Sequence, residues 1–115
     1  MKNSAPRPPK GLSAAAKRVW REIRDEFDME DSAGLLTLAA ACEAFDRMRQ
    51  AQTIIATDGL TTKDRFGQEK AHPAVVIERD SRAQMLAAIK QLNLDLEPLH
   101  ERPGRPSGSA SDRRF

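Results

Sequence analysis

The sequence lacks several features that enzymes and secreted domains commonly have. Among its 115 residues are one cysteine, no tyrosine and only 4% aromatic residues. A lone Cys42 permits no disulfide within the chain and builds no cysteine-rich zinc site. No run of 18 apolar residues is present that would form a transmembrane helix, and no apolar stretch near the N-terminus is typical of a signal peptide. We expect a small cytoplasmic domain that is stabilised by packing or by partner subunits.

Common catalytic signatures are also missing. The chain contains no G-x-x-x-x-G-K-[ST], G-x-G-x-x-G, H-E-x-x-H or G-x-S-x-G pattern. His72 and His100 are separated by a predicted helix and have no cysteine or carboxylate cluster at metal-ligand spacing. The carboxylates between Asp25 and Asp31 lie in a connection between helices, where acidic residues act as caps. We therefore predict no catalytic residue, no metal and no cofactor.

The charges are strongly segregated, although the net charge is only +2. Residues 1–24 contain seven basic residues and one acidic residue, whereas residues 25–46 contain seven acidic residues and no basic ones. Such opposite blocks have two interpretations. Either they pair with each other within the chain or between subunits, or the basic block binds nucleic-acid phosphates.

Local patterns predict an N-terminal arm and a first helix. Three prolines in residues 1–12 indicate an extended or disordered arm. Ser13 is a good N-cap, and apolar residues at three- and four-residue steps predict a helix over about residues 13–27. Trp20 belongs to the apolar face and is expected in the core. Lys17, Arg21 and Arg24 follow helical spacing and predict a basic stripe on the other side.

A second, longer helix is expected to begin at Asp31 or Ser32 and to stop at Asp58-Gly59. Its apolar stripe exceeds what the first helix can cover, which calls for a further helix or a neighbouring subunit. Residues 59–72 predict a β-hairpin with a turn near residues 64–67. Phe66 in that turn either folds back onto the core, which we expect, or is presented for contact.

The third helix is predicted from Pro73 to Leu92, with His72 at its N-cap side and Asn93 as its stop. Its apolar residues cover more than one face, which indicates burial on two sides. A short C-terminal cap at residues 94–99 and a disordered tail at residues 100–115 are expected to follow. The predicted fold is mainly α, with a three-helix core over residues 13–99 and a β-hairpin between helices two and three.

Three blocks in this order resemble the small subunit of the tailed-phage terminase, the compact helical family of phages, prophages and phage-derived islands. The first is residues 8–13 (PPKGLS) followed by Ala16-Lys17 and Val19-Trp20. The second is residues 38–49 (LAAACEAFDRMR). The third covers residues 58–94 and includes Asp58-Gly59-Leu60, DRFGQ at 64–68, HPAV at 72–75, IERD at 77–80 and Leu92-Asn93-Leu94.

This resemblance implies a non-enzymatic DNA-packaging protein in the host cytoplasm. Its family forms oligomeric rings, recognises double-stranded viral DNA, and recruits and regulates the large terminase subunit, which carries the ATPase and nuclease. If DNA is bound directly, the expected residues are Lys10, Lys17, Arg18, Arg21 and Arg24, with Lys63 and Arg65 of the hairpin as second choice. The expected oligomer interface consists of Leu38, Phe45, Met48, Ile55, Val76 and Ile77. The expected docking element for a partner is Arg113, Arg114 and Phe115.

Two other functions stay open at this point. The first is a small helical DNA-binding transcriptional regulator that uses the first two helices. The alanine-rich stretch from Leu38 to Ala44 argues against it, because it exposes few side chains that read bases. The second is a pure motor-docking adaptor, in which the C-terminal residues bind the large subunit and no DNA is bound.

Overall fold

Three helices and one β-hairpin make up the part of the chain that the computed structural model describes, residues 6–93. The elements are α1 (Ala14–Glu26), α2 (Ser32–Asp58), β1 (Thr61–Lys63), β2 (Glu69–Ala71) and α3 (Pro73–Leu92). This confirms a mainly helical fold with a hairpin between helices two and three. The predicted cap at residues 94–99 and the predicted tail at residues 100–115 lie outside the described residues.

The start of α1 is tied to the middle of α2. Ser13 is the N-cap, as predicted, and its Oγ accepts a hydrogen bond of 3.0 Å from the backbone N–H of Ala16. The backbone N–H of Ser13 donates to the Asp46 carboxylate at 2.8 Å, and the Ser13 hydroxyl donates to the same carboxylate. A local cap thus also sets where α1 crosses α2.

Helix α2 begins at the N-cap Asp31, whose carboxylate accepts from the N–H of Gly34 at 2.7 Å. It ends at Gly59, where a φ of 88° is accessible to glycine at low cost. Helix α3 packs antiparallel to α2, because hydrogen bonds pair Gln52 with Glu78 and Arg47 with Gln84. None of the helices in residues 6–93 is long and apolar enough to cross a membrane.

The main core lies where α1 meets the first half of α2. Its buried residues come from the end of the arm, from α1, from the α1–α2 connection and from α2: Leu12, Ala16, Trp20, Met29, Leu38 and Cys42. Leu92, near the end of α3, packs against the same cluster. The burial of Trp20, only 3% exposed, confirms its predicted core position.

The hairpin pairs Thr61 with Ala71 and Lys63 with Glu69 in antiparallel register. Asp64 holds the turn, because its Oδ1 accepts from the N–H groups of Phe66 and Gln68 at 2.8 and 3.0 Å. Phe66 is 76% exposed, so the expectation that it folds back onto the core is wrong. The strand residues are themselves largely exposed, which leaves the turn beyond the reach of the core.

Helix α3 starts and stops at the predicted residues. The N–H of Ala74 donates to His72 Nδ1 at 3.0 Å, Pro73 is the first helical residue, and Asn93 ends the helix in the left-handed conformation. Only Ala74 and Ser81 are buried among its residues. The predicted burial on two sides is therefore not found among residues 6–93: Val76 and Ile77 are 44% and 49% exposed.

Candidate functional site

A basic face is formed by the arm and the outer side of α1. Arg7, Lys10, Arg18 and Arg21 are exposed on it, and Lys17 is half-buried. The arm lies along α1, so that residues 6–10 and the helix enclose a groove of about 640 Å³. Lys17, Trp20, Arg21 and Asp25 form the helical wall of this arm groove. Four of the predicted DNA-binding residues, Lys10, Lys17, Arg18 and Arg21, thus lie on this face or beside it.

Arg24 does not belong to the basic face. It is only 9% exposed, and it lies on the buried side of α1 together with Ala16 and Trp20, at four-residue steps. Its guanidinium contacts Asp25 at 3.1 Å and Glu30 at 3.4 Å. These carboxylates already offset its charge. The basic stripe expected from sequence therefore keeps Lys17 and Arg21 but not Arg24, and we no longer assign Arg24 to DNA binding.

Trp20 combines burial with an unused hydrogen-bond donor. Its ring lies in the core and also lines the arm groove. The indole Nε1 is buried and has no hydrogen-bond partner among residues 6–93. This groove exists only where the arm lies along α1, so the separate patterns of the two segments did not predict it. The only available signal was the clustering of prolines just before a helix that contains the single tryptophan.

The hairpin forms a second basic group, at a distance from the first. Lys63, Arg65 and Lys70 are exposed, and the Arg65 guanidinium carbon lies 5.2 Å from the centroid of the Phe66 ring. The arm and α1 meet α2 near Asp46, whereas the hairpin follows Asp58. Twelve residues of α2 correspond to about 18 Å. The fold therefore keeps the two predicted DNA-binding groups separate instead of bringing them together.

The predicted oligomer interface divides in two. Leu38 and Met48 are 0% and 8% exposed, because they pack inside the chain itself, so they are not accessible to a neighbouring copy. Phe45 and Ile55 are half-buried. Val76 and Ile77 are exposed on the first turns of α3, at the end of the helix pair that carries the hairpin. Exposed Ile54 and Leu60 lie at that same end.

The remaining titratable groups have structural explanations. Burial, followed by the nearby charges of Asp46 and Glu43, raises the pKa of the Cys42 thiol to about 11, which makes it a poor nucleophile. No group of three or more metal-ligating side chains occurs in the part of the chain that the structure describes. Asp31 caps α2, and Asp25 and Glu30 pair with Arg24. The predicted docking residues Arg113, Arg114 and Phe115 lie outside the described residues, as does His100.

Comparison with protein families gives one finding that covers most of the chain. The model of the family described as phage terminase, small subunit, matches residues 16–98. The match includes nearly all of α1 and the whole of α2, the hairpin and α3, whereas the arm precedes it. No curated protein and no solved structure matches the chain.

Proposed function

This chain belongs to the phage terminase small-subunit family, and from that premise we propose that it is a non-enzymatic subunit of a viral DNA-packaging machine. In this role it binds double-stranded viral DNA, assembles into a ring, and recruits and regulates the large subunit, which supplies the ATPase and nuclease. The observation that carries the proposal is the family match over residues 16–98, which spans the helical core.

The DNA-binding surface of the proposal is the basic face of the arm and α1. Lys10, Arg18 and Arg21 are exposed there, and Lys17 lies beside them. Exposed cations contact phosphates without the desolvation that a buried cation would require, and such contacts bind DNA without reading its sequence. Lys63 and Arg65 at the hairpin are a second contact, about 18 Å further along α2.

Ring assembly in the proposal uses the exposed apolar residues at the hairpin end. Val76 and Ile77 are solvent-exposed within one chain, and contact with a neighbouring copy would remove them from water. Ile55 is half-buried at the same end and would complete this contact, whereas Phe45 packs against the main core about 15 Å away along α2. The segregated charges favour a heterologous contact, in which one surface of each copy meets a different surface of the next. Repetition around a ring then adds avidity to weak DNA contacts.

A charge-reversal pair tests DNA binding. We expect Arg18→Glu/Arg21→Glu to weaken binding to a viral DNA fragment by at least about tenfold and to lower the salt slope by about one per lost contact. The matched control is Arg49→Glu/Arg79→Glu, which changes the net charge equally at exposed positions of α2 and α3, outside the arm and α1. Equal losses in both pairs would show a general charge effect and would contradict the surface assigned here.

Recruitment of the large subunit is assigned to Arg113, Arg114 and Phe115. Deleting residues 101–115 is expected to abolish capture of the large subunit while leaving the native mass of the assembly unchanged. A protein that captures the large subunit but binds no DNA would support the adaptor function. A dimer that binds a palindromic site and no large subunit would support the transcriptional regulator.

A further inference from the structure

The arm groove has an apolar interior and a cationic rim. Pro6, Pro8 and Pro9 line it from the arm, and Trp20 lines it from α1. Four cations surround these apolar residues, whereas Asp25 is the only acidic residue in the lining: the cations are Arg7, Lys10, Lys17 and Arg21. A groove with this lining favours a ligand that has both apolar groups and negative charge.

The charge of the rim selects among such ligands. Trp20 lines the groove but is only 3% exposed, and its Nε1 is buried, so the tryptophan presents an apolar wall and no accessible hydrogen-bond donor. A carboxylate is suited to the rim, because it accepts hydrogen bonds from lysine and arginine and carries the charge that these cations attract.

The chain itself contains a segment with this chemistry. Residues 94–99 read LDLEPL and alternate leucines with the carboxylates of Asp95 and Glu97. No lysine or arginine occurs in residues 94–101, since the next one is Arg102. The segment is therefore apolar and anionic, which complements the apolar interior and the cationic rim of the groove.

Helix α3 ends at the core cluster to which Trp20 of the groove belongs. Leu92 packs against the core cluster that includes Trp20, and Asn93 turns the chain through a left-handed residue. Six extended residues beyond Asn93 span about 20 Å. We propose that residues 94–99 bind in the arm groove of their own chain, with the leucines against its apolar interior and the carboxylates of Asp95 and Glu97 against its cationic rim.

A nucleic-acid ligand fits the groove less well. Exposed cations alone suit phosphates, but the proline and tryptophan lining offers nothing to a DNA backbone, which has no apolar side chains. A peptide with leucines uses both parts of the lining. Binding of residues 94–99 would also neutralise Arg21 and Lys10 and so compete with DNA, a consequence that rests on the proposed function.

The single tryptophan allows a direct test in the full-length protein. A nitroxide spin label quenches tryptophan emission only at short range, and all the tryptophan emission of this protein comes from Trp20. The label is attached at Pro98→Cys in a Cys42→Ala background, and the control carries it at Ser109→Cys. We expect the label at position 98 to remove most of the Trp20 emission and the label at position 109 to remove little. Equal quenching by the two labels would overturn the proposal.

Two further experiments distinguish docking within one chain from contact between copies. Lys17→Glu/Arg21→Glu is expected to restore the emission of the chain labelled at position 98, whereas Arg49→Glu/Arg79→Glu, on α2 and the first half of α3, should not. A labelled Trp20→Phe chain mixed with an unlabelled chain reports contact between copies, and quenching in that mixture would overturn docking within one chain. Circular dichroism of each variant shows whether the helices persist.

Competition with DNA is measured separately. Asp95→Lys/Glu97→Lys is expected to bind DNA more tightly than Glu101→Lys/Asp112→Lys, although both pairs change the net charge equally. If no variant binds DNA, the proposed function fails, while the quenching result still decides whether residues 94–99 occupy the groove. Tight binding by both pairs alike would overturn the competition.

Discussion

Arg24 shows how a single residue can belong chemically to one surface and structurally to another. Its charge and its spacing from Lys17 and Arg21 predict a phosphate contact, yet it lies on the buried side of α1. There it contacts Asp25 and Glu30, whose side chains are 70% and 69% exposed. Removing the guanidinium would leave these two carboxylates in water, where they need no partner.

We therefore expect Arg24→Met to leave DNA affinity unchanged, because the buried side chain contacts no phosphate. The free energy of unfolding should change by no more than about 1 kcal/mol, since a buried arginine is replaced by an apolar chain of similar length. The comparison is Arg21→Met, which removes an exposed cation and should weaken DNA binding. A larger loss of DNA affinity in Arg24→Met than in Arg21→Met would return Arg24 to the binding surface.

Cys42 makes the free energy of unfolding depend on pH in the alkaline range. Burial, then the charges of Asp46 and Glu43, raises the pKa of the thiol from 9.0 to about 11 in the folded chain. The folded state therefore holds the proton more tightly than the unfolded state. This contribution is fully present below pH 9 and is lost as the pH rises toward about 11.

Between these pH values, we expect the free energy of unfolding of the wild-type protein to fall more steeply than that of Cys42→Ala. The excess slope is at most about 1.4 kcal/mol per pH unit, which corresponds to one proton. Urea denaturation followed by circular dichroism measures both proteins. Parallel pH profiles would show that Cys42 is not the group responsible.

At the scale of elements, His72 joins the end of α2 to the start of α3. Its Nδ1 caps α3 by accepting from the N–H of Ala74 at 3.0 Å. Because Nδ1 is the acceptor, Nε2 carries the hydrogen and donates to the Asp58 carboxylate at 3.0 Å. The backbone N–H of His72 also donates to the carbonyl of Leu60 at 2.8 Å. One side chain thus both starts a helix and holds the hairpin between two helix ends.

We expect His72→Ala to lower the free energy of unfolding by about 1 kcal/mol or more, because both the cap and the contact with Asp58 are lost. His72→Asn retains a good capping side chain and should lose less. Thermal unfolding of the two variants separates the contribution of the cap from that of the contact with Asp58. His100→Ala is the control for histidine removal, and identical losses in the alanine and asparagine variants at position 72 would contradict the capping role.

The elements were largely predictable because their ends depend on nearby residues. Caps at Ser13 and Asp31, the stop at Gly59 and the turn at Asp64 all use contacts within four residues along the chain. The exposure of Phe66 was not predictable in the same way. It depends on how far the hairpin extends from the helices, which is a property of packing.

At the scale of the whole molecule, the exposed apolar residues at the hairpin end bear on assembly. One copy has a mass of 12.8 kDa, so light scattering coupled to size-exclusion chromatography distinguishes a ring from a single copy. We expect Val76→Asp/Ile77→Asp to reduce the native mass, because two buried charges would oppose the contact between copies. The control is Leu36→Asp, a residue that is 74% exposed near the other end of α2.

A native mass that stays unchanged in Val76→Asp/Ile77→Asp would place the contact between copies elsewhere. Retention of the helical circular dichroism signal shows that the variant is still folded. If the wild-type protein itself has the mass of one copy, ring assembly in the absence of DNA and the large subunit is contradicted.

The sequence by itself determined the helices, their caps and stops, the hairpin and its turn, and the family resemblance, because each depends on residues that are neighbours in the chain. Only the tertiary structure decided that Arg24 is buried, that Leu38 and Met48 pack within their own chain, and that the arm forms a groove beside Trp20. These outcomes depend on which helix faces meet. Those contacts depend on where along α2 the helix α1 crosses it. Residues far apart in sequence, such as Ser13 and Asp46, hold that crossing in place.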